Sequence, residues 1–380
     1  MRVLHLYKTY YPDTMGGVEQ AIFQICQSCK IHGIDSEVLT LSPNPSPRHL
    51  PIGSHWVHRS QENLNIASTG FSHRVFYKFR RLAEQCDIIH YHFPWPFMDL
   101  LHFAANIKKP SIISYHSDIV RQKTLLQLYQ PLLHRFLTAA DMIVAASPNY
   151  LASSKILHRY QHKTRIIPYG LDRNSYPEAS QEALQHWHSR YPQGFFLFVG
   201  VMRYYKGLHI LLEACKNRNY PVVIVGQGPM EKKLRQQCNE LQLSNVHFLG
   251  PLPDGDKIAL LQLCRAVVFP SHLRSEAFGI SLLEGAMFGK PMISSEIGTG
   301  TTYINSHAHT GFVVPPRDAS ALQAAMDTLW HDDALAQRMG IAAAERYQQL
   351  FTAERMGKMM SHAYHDLLEQ AYPTGPTVPA

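Results

Sequence analysis

The chain contains few cysteines and no long hydrophobic run. Six cysteines in 380 residues exclude a small domain that is held together by disulfides. No stretch of about 18 apolar residues occurs, so we expect no membrane-spanning helix. The first apolar run, residues 3–7, is interrupted by His5 and is too short for a signal peptide, and it is typical of a first β-strand. We therefore expect a cytoplasmic protein.

Two motifs that suggest a metal site are incomplete. Cys26 and Cys29 form a C-x-x-C pair, but the other four cysteines supply no second pair. Both are therefore expected to be small apolar residues one turn apart in a helix. His90 and His92 alternate near the end of a predicted strand without a third ligand at a useful spacing, which favours a structural role.

Positive charge is concentrated in the first half of the chain. Residues 1–172 contain 18 Lys and Arg against 11 Asp and Glu, which accounts for the whole net charge of +7. One cluster consists of Arg74, Lys78, Arg80 and Arg81. Such a basic half suits nucleic acid, an anionic membrane face or an acidic substrate, or it is a solvated surface without a partner. No helix-turn-helix, zinc-finger or RNP-like pattern accompanies it, which argues against nucleic acid.

Short apolar runs alternate with helical patterns in two successive series. The length suggests two domains, each large enough for a hydrophobic core. The alternation is typical of two doubly wound α/β domains with parallel sheets. The predicted strands are residues 3–7, 38–41, 88–90, 111–114, 142–145, 165–167, 195–199, 222–225, 247–249, 266–269 and 292–294. The predicted helices are residues 18–31, 208–215, 231–241, 256–263, 280–288 and 319–326.

The predicted domains are residues 1–172 and 173–349, and the polar segment 170–193 is predicted to connect them. A long helix is expected over about 342–369, and residues 371–380 are expected to form a mobile tail. Ligands of this architecture bind at the carboxyl ends of strands, in a cleft between the domains. The loops that follow strands are therefore the places to search for functional residues.

Two glycine-containing loops suit a phosphate group. Gly16 and Gly17 follow the first strand at the start of a helix, where free N–H groups meet an anion and no side chain intervenes, although such a pair is also common in turns. A later strand is followed by Gly200-Val201-Met202-Arg203-Tyr204-Tyr205-Lys206-Gly207. Arg203 and Lys206 suit a diphosphate and the charge that develops on a departing diphosphate. The alternative is an exposed helix cap.

Acidic and histidine side chains follow other strands. Glu276 and Glu284 lie eight residues apart with Gly279 between them, and their carboxylates suit a sugar hydroxyl and a ribose. Glu284 lies in an apolar stretch and therefore needs a partner, although surface acids are the alternative. His116, in Tyr115-His116-Ser117-Asp118, is expected to face the cleft or else to pack inside the first domain.

In this order, each after a predicted strand, the motifs resemble those of the retaining family-4 glycosyltransferases of the GT-B fold. The resemblance covers essentially the whole chain, and its most specific part is the E-x7-E of Glu276 and Glu284. Residues 204–208 and 275–301 are similar to the bacterial O-antigen mannosyltransferases, which use GDP-mannose, or GDP-rhamnose in near relatives.

The resemblance implies transfer of a mannosyl residue from GDP-mannose to a lipid-diphosphate-linked saccharide, with an α-mannosidic product, in O-antigen and lipopolysaccharide biosynthesis. The first domain would bind the acceptor, the second the nucleotide sugar, and the last helix, about 350–370, would cross back to the first domain. The implied donor-binding residues are Gly16, Gly17, Gly200, Arg203, Lys206, Glu276, Phe278, Gly279, Ile280 and Glu284. The implied catalytic residues are His116, Arg203, Lys206 and Glu276, and the acceptor-side candidates are Asp13 and Asp118.

The resemblance also assigns roles. Arg203 and Lys206 would hold the diphosphate, Glu284 the ribose, and Glu276 the donor sugar, while His116 would contact the sugar near the reacting carbon. No carboxylate is clearly placed for a double displacement, so we expect front-face attack with retention of configuration. The two cations would supply the positive charge, and no metal or other cofactor is expected. Removing the side chain of Lys206 or Glu276 is expected to abolish transfer with little loss of folding.

Acceptors of this kind are held at the inner face of the plasma membrane, so we expect peripheral binding through the basic half, with Trp95 and Phe97 as exposed aromatic contacts. The alternatives are a transferase for GDP-rhamnose or another nucleotide sugar, a nucleotide-sugar epimerase of the same architecture, a pyridoxal-bearing phosphorylase and a non-catalytic glycan-binding subunit. A dehydrogenase is disfavoured because no G-x-G-x-x-G follows the first strand.

Overall fold

The computed structural model describes residues 1–66, 69–119 and 123–373. The chain has the α/β architecture that the sequence predicts, with two sheets that are almost entirely parallel. It divides into two compact units. Unit 1 contains Met1–Gly170 and the segment that begins at Ala353, and unit 2 contains Leu171–Thr352.

Unit 1 is built on a sheet of eight described strands and a separate two-stranded hairpin. The strands are β1 (Arg2–Leu6), β2 (Asp35–Ser42), β3 (His49–Ile52), β4 (His55–Gln61), β5 (Leu64–Ile66), β6 (Thr69–Phe71), β7 (Ile88–Phe93), β8 (Ser111–Tyr115), β9 (Met142–Ala145) and β10 (Thr164–Ile166). The sheet order is β10-β9-β8-β7-β1-β2-β4-β3, and only the β3–β4 pair in it is antiparallel. Strands β7 and β8 are buried at every residue, as expected for parallel strands covered on both faces.

The helices that cover this sheet show apolar faces. They are α1 (Gly17–Lys30), α2 (Val75–Glu84), α3 (Pro96–Ala104), α4 (Lys123–Ala139), α5 (Pro148–Ser153) and α6 (Lys155–Arg159). In α1 the buried residues Ile22, Cys26 and Cys29 follow the spacing of one helical face. The two cysteines are buried free thiols one turn apart, as predicted, and burial raises the pKa of Cys29 to about 12.

Unit 2 is built on a six-stranded parallel sheet. Its strands are β11 (Phe196–Val199), β12 (Val222–Val225), β13 (Val246–Gly250), β14 (Ala266–Phe269), β15 (Met292–Ser295) and β16 (Gly311–Val314), in the order β13-β12-β11-β14-β15-β16. Its helices are α7 (Gln181–Arg190), α8 (Leu208–Ala214), α9 (Glu231–Glu240), α10 (Asp254–Leu263), α11 (Ile280–Met287), α12 (Thr301–Ile304), α13 (Ala319–His331) and α14 (Asp333–Leu350). The apolar strand residues predicted from the sequence form its core.

Each sheet has a point where the strand order reverses. In unit 1, β1 lies between β7 and β2, and in unit 2, β11 lies between β12 and β14. Loops that leave neighbouring strands at such a point diverge and open a crevice at the carboxyl ends, where open α/β sheets bind ligands. The Gly16 loop follows β1 and the Arg203 loop follows β11, so each unit has one sequence motif at its own reversal point.

The long C-terminal helix predicted over 342–369 is two helices. After α14 the chain breaks at Phe351 and Thr352 and continues as α15 (Ala353–Ala371). The break occurs because the Phe351 carbonyl accepts a hydrogen bond from the Leu171 N–H (3.0 Å) while its buried ring packs on Tyr303 (5.5 Å between centroids). The predicted tail begins too early, since α15 still includes residue 371, and its positions 374–380 lie outside the described residues.

Other differences from the prediction concern short elements. The segment 170–193, expected to be a polar connection, contains α7, which is capped by Ser180 and buries Trp187. Strands β3 to β6 and β16 are missing from the prediction; they are three to seven residues long, and none of them is buried at every residue. Such short segments lack the continuous apolar run that identifies a buried strand.

The prediction that Trp95 is an exposed membrane contact is wrong. Trp95 is fully buried, and its Nε1–H donates to the Gly70 carbonyl (3.1 Å). An indole can be buried in this way when its N–H finds a partner. Phe97 is only half-buried and packs on Phe71 (5.0 Å between centroids). Within the described ranges, no helix combines the length and apolar character needed to cross a membrane.

Candidate functional site

The loop after β11 in unit 2 is held in one conformation by glycines and backbone hydrogen bonds. Gly207 has a φ of +73°, and a Cβ there would lie 1.9 Å from the Pro270 carbonyl oxygen. The Tyr205 carbonyl accepts a hydrogen bond from the His272 N–H (2.9 Å). Gly226, which the sequence did not single out, allows a close approach of the Gly200 carbonyl oxygen, since a Cβ at Gly226 would lie 2.2 Å from that oxygen. The loop therefore lies against the segment that follows β14.

This arrangement brings Lys206 and Glu276 together. Lys206 Nζ is hydrogen-bonded to Glu276 Oε2, and both side chains are 11% exposed. The Ser271 hydroxyl donates to the same carboxylate oxygen (3.3 Å), and the ammonium group lies 4.5 Å from the centre of the Phe269 ring. A buried charge is stable only with such partners. Lys206 is thus held at a fixed place at the end of β14.

Arg203 differs from Lys206 because its side chain is exposed on the same loop. It precedes a short 3-10 turn, Tyr204–Lys206, and its carbonyl accepts from the Lys206 N–H (3.0 Å). The loop thereby carries one exposed guanidinium group and, three residues later, one buried ammonium group. Guanidinium groups bind phosphate oxygens in a bidentate manner, so this pair can hold two phosphates of one ligand.

Glu284 lies one turn into α11 and is buried, as its apolar neighbourhood suggested. Its Oε1 accepts from the Tyr176 hydroxyl (3.0 Å) and is paired with Lys257 Nζ (3.3 Å). Burial opposes the charged form of Lys257, but the carboxylates of Glu284 and Asp254 outweigh it and raise its pKa. The predicted need for a partner is confirmed. The sequence did not identify Tyr176 or Lys257, because they are distant along the chain.

The segment between these two glutamates starts helix α11. Gly279 is its N-cap with a φ of +100°, a conformation that favours glycine. The first backbone N–H groups of α11, at Ile280 and Ser281, have no acceptor within the helix by position. Phe278 is buried, and a Cβ at Gly300 would lie 2.4 Å from its ring. The backbone N–H donors at the start of α11 therefore follow Glu276 by only a few residues along the chain.

In unit 1 an acidic side chain packs against the Gly16-Gly17 turn. Glu19 is buried in the first turn of α1, and its Oε1 accepts from the hydroxyls of Thr9 (2.9 Å) and Thr14 (2.8 Å). A Cβ at Gly16 would lie 2.6 Å from Glu19 Oε2. Gly16 thus makes room for a carboxylate of the protein itself, which is a structural reason for glycine that the sequence analysis did not identify.

His116 belongs to a line of buried histidines in unit 1. His5 Nδ1 lies 3.0 Å from His92 Nε2, and His92 Nδ1 lies 2.9 Å from His116 Nε2. His116 Nδ1 is in turn hydrogen-bonded to the Tyr169 hydroxyl. His5, His92 and His116 lie on or just after the adjacent strands β1, β7 and β8, so strand pairing brings them together. Both ring nitrogens of His116 are therefore engaged.

These imidazoles are held neutral. Burial lowers the pKa of His116 to about 3, and burial with a contribution from His55 lowers that of His5 to about 3. The pKa of His92 is well below its usual value for the same reason, with smaller contributions from neighbouring histidines. Neutral rings donate through one nitrogen each, so the hydrogen bonds run in one direction. If each of these three rings is protonated at Nδ1, His5 Nε2 is the ring nitrogen among them that has no partner within the described part of the chain.

Two of these histidines, His5 and His92, form with His90 a group that is close to a metal-binding arrangement among the described residues. One nitrogen each of His5, His90 and His92 lies within 4.8 Å of the others. His90 bonds the hydroxyls of Tyr364 (2.6 Å) and Ser114 (2.7 Å), so its nitrogens are already used. A metal ion would have to replace these hydrogen bonds. The arrangement fits a hydrogen-bonded cluster, the structural role predicted for His90 and His92.

The two acceptor-side candidates are both bound to other side chains of unit 1. Asp13 Oδ1 accepts from Arg59 Nη2 (2.6 Å). Asp118 Oδ1 accepts from the hydroxyls of Tyr115 (2.9 Å) and Ser154 (2.7 Å). Each carboxylate therefore organises its own loop.

Comparison with known proteins agrees with this architecture. The family model Glycosyltransferase Family 4 matches residues 15–175, and the model Glycosyl transferases group 1 matches residues 181–346. The D-rhamnosyltransferase WbpZ of Pseudomonas aeruginosa is 60% identical over 93% of this chain and 93% of its own length. The O-antigen chain mannosyltransferase C of Escherichia coli is 50% identical over 97% of this chain and 99% of its own length.

Solved structures give the same result for the fold. Sucrose-phosphate synthase from Thermosynechococcus elongatus has a TM-score of 0.79 at 20% identity and covers 97% of this chain and 99% of its own. At that identity the likeness concerns the fold, whereas the two bacterial transferases are similar over nearly the whole sequence. The chain therefore belongs to the family-4 glycosyltransferases and has the GT-B fold with two Rossmann-like domains.

Proposed function

We propose that this glycosyltransferase moves a hexosyl residue of the manno configuration from its GDP-activated form to a lipid-diphosphate-linked saccharide in O-antigen synthesis. The observation that carries the proposal is the constellation in unit 2: an exposed Arg203, a buried Lys206 paired with Glu276, and a buried Glu284. Both relatives described above are named for transfer of such a sugar, one D-rhamnose and the other mannose.

The roles follow from the chemistry of these side chains. Arg203 and Lys206 bind the donor diphosphate and stabilise the charge that builds up as it departs. Glu284, held by Tyr176, accepts from the ribose hydroxyls. Glu276 holds the donor sugar together with the backbone at 278–280. A contact of His116 with the sugar requires one of its two present hydrogen bonds to be exchanged.

The reaction proceeds by front-face attack. The bond between the anomeric carbon and the donor phosphate oxygen breaks, and the acceptor oxygen bonds to the same face of that carbon. The acceptor hydroxyl proton passes to the departing phosphate oxygen, so the configuration is retained. Cationic side chains supply the charge stabilisation, and the proposal requires no metal ion. Activity should therefore survive EDTA, and a loss that Mg²⁺ restores would contradict this part.

Mannose and D-rhamnose, its 6-deoxy form, are both candidates for the transferred sugar. The observation that favours D-rhamnose is the higher sequence identity of this chain to the D-rhamnosyltransferase, 60%, than to the mannosyltransferase, 50%. A donor panel of GDP-mannose, GDP-D-rhamnose and UDP-glucose, with a synthetic lipid-diphosphate disaccharide as acceptor, separates them. We expect one GDP sugar to be transferred with an α-linkage, identified by NMR of the product. Transfer from UDP-glucose alone, or epimerisation of a donor without acceptor, would refute the proposal.

A further inference from the structure

Unit 1 contains a recess of about 310 Å³ that is lined by five cationic side chains. They come from the segment before β3, from β4 and from α2, and they are Arg48, Arg59, Arg74, Lys78 and Arg81. No acidic side chain is among the described residues that line it. Its volume is at the lower end of the range for ligand pockets, which suits a charged group rather than a whole oligosaccharide.

Helix α2 supplies three of these cations from one face. Arg74 is its N-cap, and Lys78 and Arg81 follow four and seven residues later, which is the spacing of neighbours on one side of a helix. The buried residues Val75 and Phe79 fix the orientation of the helix from its other side. The cations therefore point to the recess as a consequence of the packing of α2.

Of the five cations in the recess, Arg59 is paired with Asp13, and the other four are not neutralised by the described residues. In the described part of the chain, Arg48, Arg74, Lys78 and Arg81 have no carboxylate within ion-pair distance. Lys78 Nζ donates to the carbonyls of Arg59 (3.0 Å) and Arg48 (3.4 Å), so it is folded into the recess. Burial, together with Arg81 and Arg48, lowers the pKa of Lys78 to about 8. Like charges gathered in this way are stabilised by an anion.

Arg59 forms a rigid wall of the recess. It is only 4% exposed, and its Nη2 donates to Asp13 Oδ1 (2.6 Å), to the Asn44 carbonyl (2.6 Å) and to the Ser42 hydroxyl (3.0 Å). Its buried Nε donor finds no acceptor among the described residues, and a ligand can satisfy such a group. Asp13, the acceptor-side candidate, is thus tied directly to a residue of the recess.

We propose that this recess binds the diphosphate that links the acceptor saccharide to its lipid carrier. The inference rests on the proposed function, since it names the part of the acceptor that unit 1 recognises. Guanidinium groups suit a diphosphate because each can bond two oxygens at once. Exposed apolar side chains stand close by in sequence, Leu64 and Ile66 after β4 and Tyr77 on α2, all more than half exposed. They suit the lipid chain next to the diphosphate.

The test measures binding of two soluble acceptors in the absence of any donor. One is the saccharide on a short-chain lipid diphosphate, and the other carries an uncharged alkyl chain of the same length. The wild-type chain should bind the diphosphate form at least about 10-fold more tightly, since charged hydrogen bonds are made only to it. In the variant Arg74→Gln/Lys78→Gln/Arg81→Gln that preference should disappear, with a loss of about 10- to 100-fold in affinity for the diphosphate form.

Arg80→Gln is the matched control. Arg80 lies on the same helix, is paired with Glu84 (3.5 Å) and does not line the recess, so its removal should leave the preference unchanged. Equal melting temperatures of the variants and the wild type establish that unit 1 is folded. A preference that persists in the triple variant, or is absent in the wild type, would overturn the inference.

A membrane surface is the competing source of phosphate. If the triple variant lost binding to phosphatidylglycerol vesicles but kept its affinity for the soluble diphosphate acceptor, the cations would serve the membrane and the inference would be wrong. Competition by inorganic diphosphate against the soluble acceptor is expected in the wild type. Because no nucleotide sugar is present, this result stands whether or not the donor panel supports the proposed transfer, so the two failures are distinguishable.

Discussion

The buried pair of Lys206 and Glu276 makes a prediction about both stability and activity. Removing one partner of a buried ion pair leaves an uncompensated charge and costs about 3–5 kcal/mol. Among the described residues, Lys206→Met leaves the Glu276 carboxylate with only the Ser271 hydroxyl at 3.3 Å. Glu276→Gln leaves the ammonium group of Lys206 beside the Phe269 ring, 4.5 Å from its centre. Each single variant should therefore lose stability, which revises the sequence-based expectation of little loss of folding.

The double variant Lys206→Met/Glu276→Gln separates the two effects. It has no uncompensated charge, so it should recover most of the lost stability, with a coupling energy of about 2–3 kcal/mol in a double-mutant cycle. For a unit of this size, a loss of about 3 kcal/mol corresponds to a melting temperature lower by about 6–12 °C. Under the proposed roles, transfer activity should fall by at least about 100-fold in all three variants, because each removes the charge that binds the departing diphosphate, the charge that holds the donor sugar, or both.

The measurements are thermal melting and initial transfer rates on the same four proteins. Lys216→Met is the control, since Lys216 is an exposed lysine of unit 2 that pairs with Glu213 (2.5 Å) on the surface. It should change melting and transfer little. Strictly additive losses in the cycle would show that the pair is not coupled. A double variant with wild-type transfer would show that neither charge serves the reaction.

Three further predictions concern other residues. The buried neutral histidines, such as His116 with a pKa of about 3, bind protons only on unfolding. Each should therefore lower the free energy of unfolding by about 1.4 kcal/mol per pH unit as the pH falls below about 6.5. Acid titration followed by circular dichroism should show cooperative unfolding of unit 1 at mildly acidic pH, and a melting temperature that is constant from pH 7 to 4 would contradict this prediction. Gly207→Ala should distort the loop after β11 and weaken GDP binding in a titration, because the added Cβ would lie 1.9 Å from the Pro270 carbonyl oxygen. Gly255→Ala is the control and should bind GDP normally, because its Cβ would have no described atom within 4 Å. Asp13→Ala should lower the free energy of unfolding by about 1.5–3 kcal/mol, because it removes the charged partner of Arg59. Asp13→Asn should lower it less. Equal melting temperatures of the two variants would show that Asp13 does not stabilise Arg59.

The sequence predicts the fold well where one physical signal dominates. Runs such as Met142–Ala145 and Ala266–Phe269 are continuous, apolar and bounded by turns, and they are strands with the predicted limits. The last helix is the counterexample. Its apolar periodicity continues through Phe351, but a hydrogen bond from Leu171, far away in the chain, ends the helix there. Periodicity reports local preference, and such a distant contact leaves no local pattern.

The residue types of the candidate site could be predicted from the sequence, but many of their contacts could not. Glu284 in an apolar stretch signals that a partner exists, but Tyr176 and Lys257 are identified only by packing. The histidine cluster is similar: His90 and His92 are visible as an alternating pair, while His5 joins them through the pairing of β1 with β7. Strand order and register are set by the whole sheet, and a single sequence contains no direct signal for them.

In the proposed function, unit 2 binds the donor diphosphate through Arg203 and Lys206. Calorimetric titration of GDP with the Arg203→Gln variant tests it most directly, because Arg203 is exposed and its replacement leaves the buried pair intact. Arg338→Gln, an exposed arginine on α14 of the same unit, is the control. We predict that Arg203→Gln weakens GDP binding by about 10-fold or more and that Arg338→Gln does not change it. Equal GDP affinity of the wild type and the Arg203→Gln variant would contradict the claim.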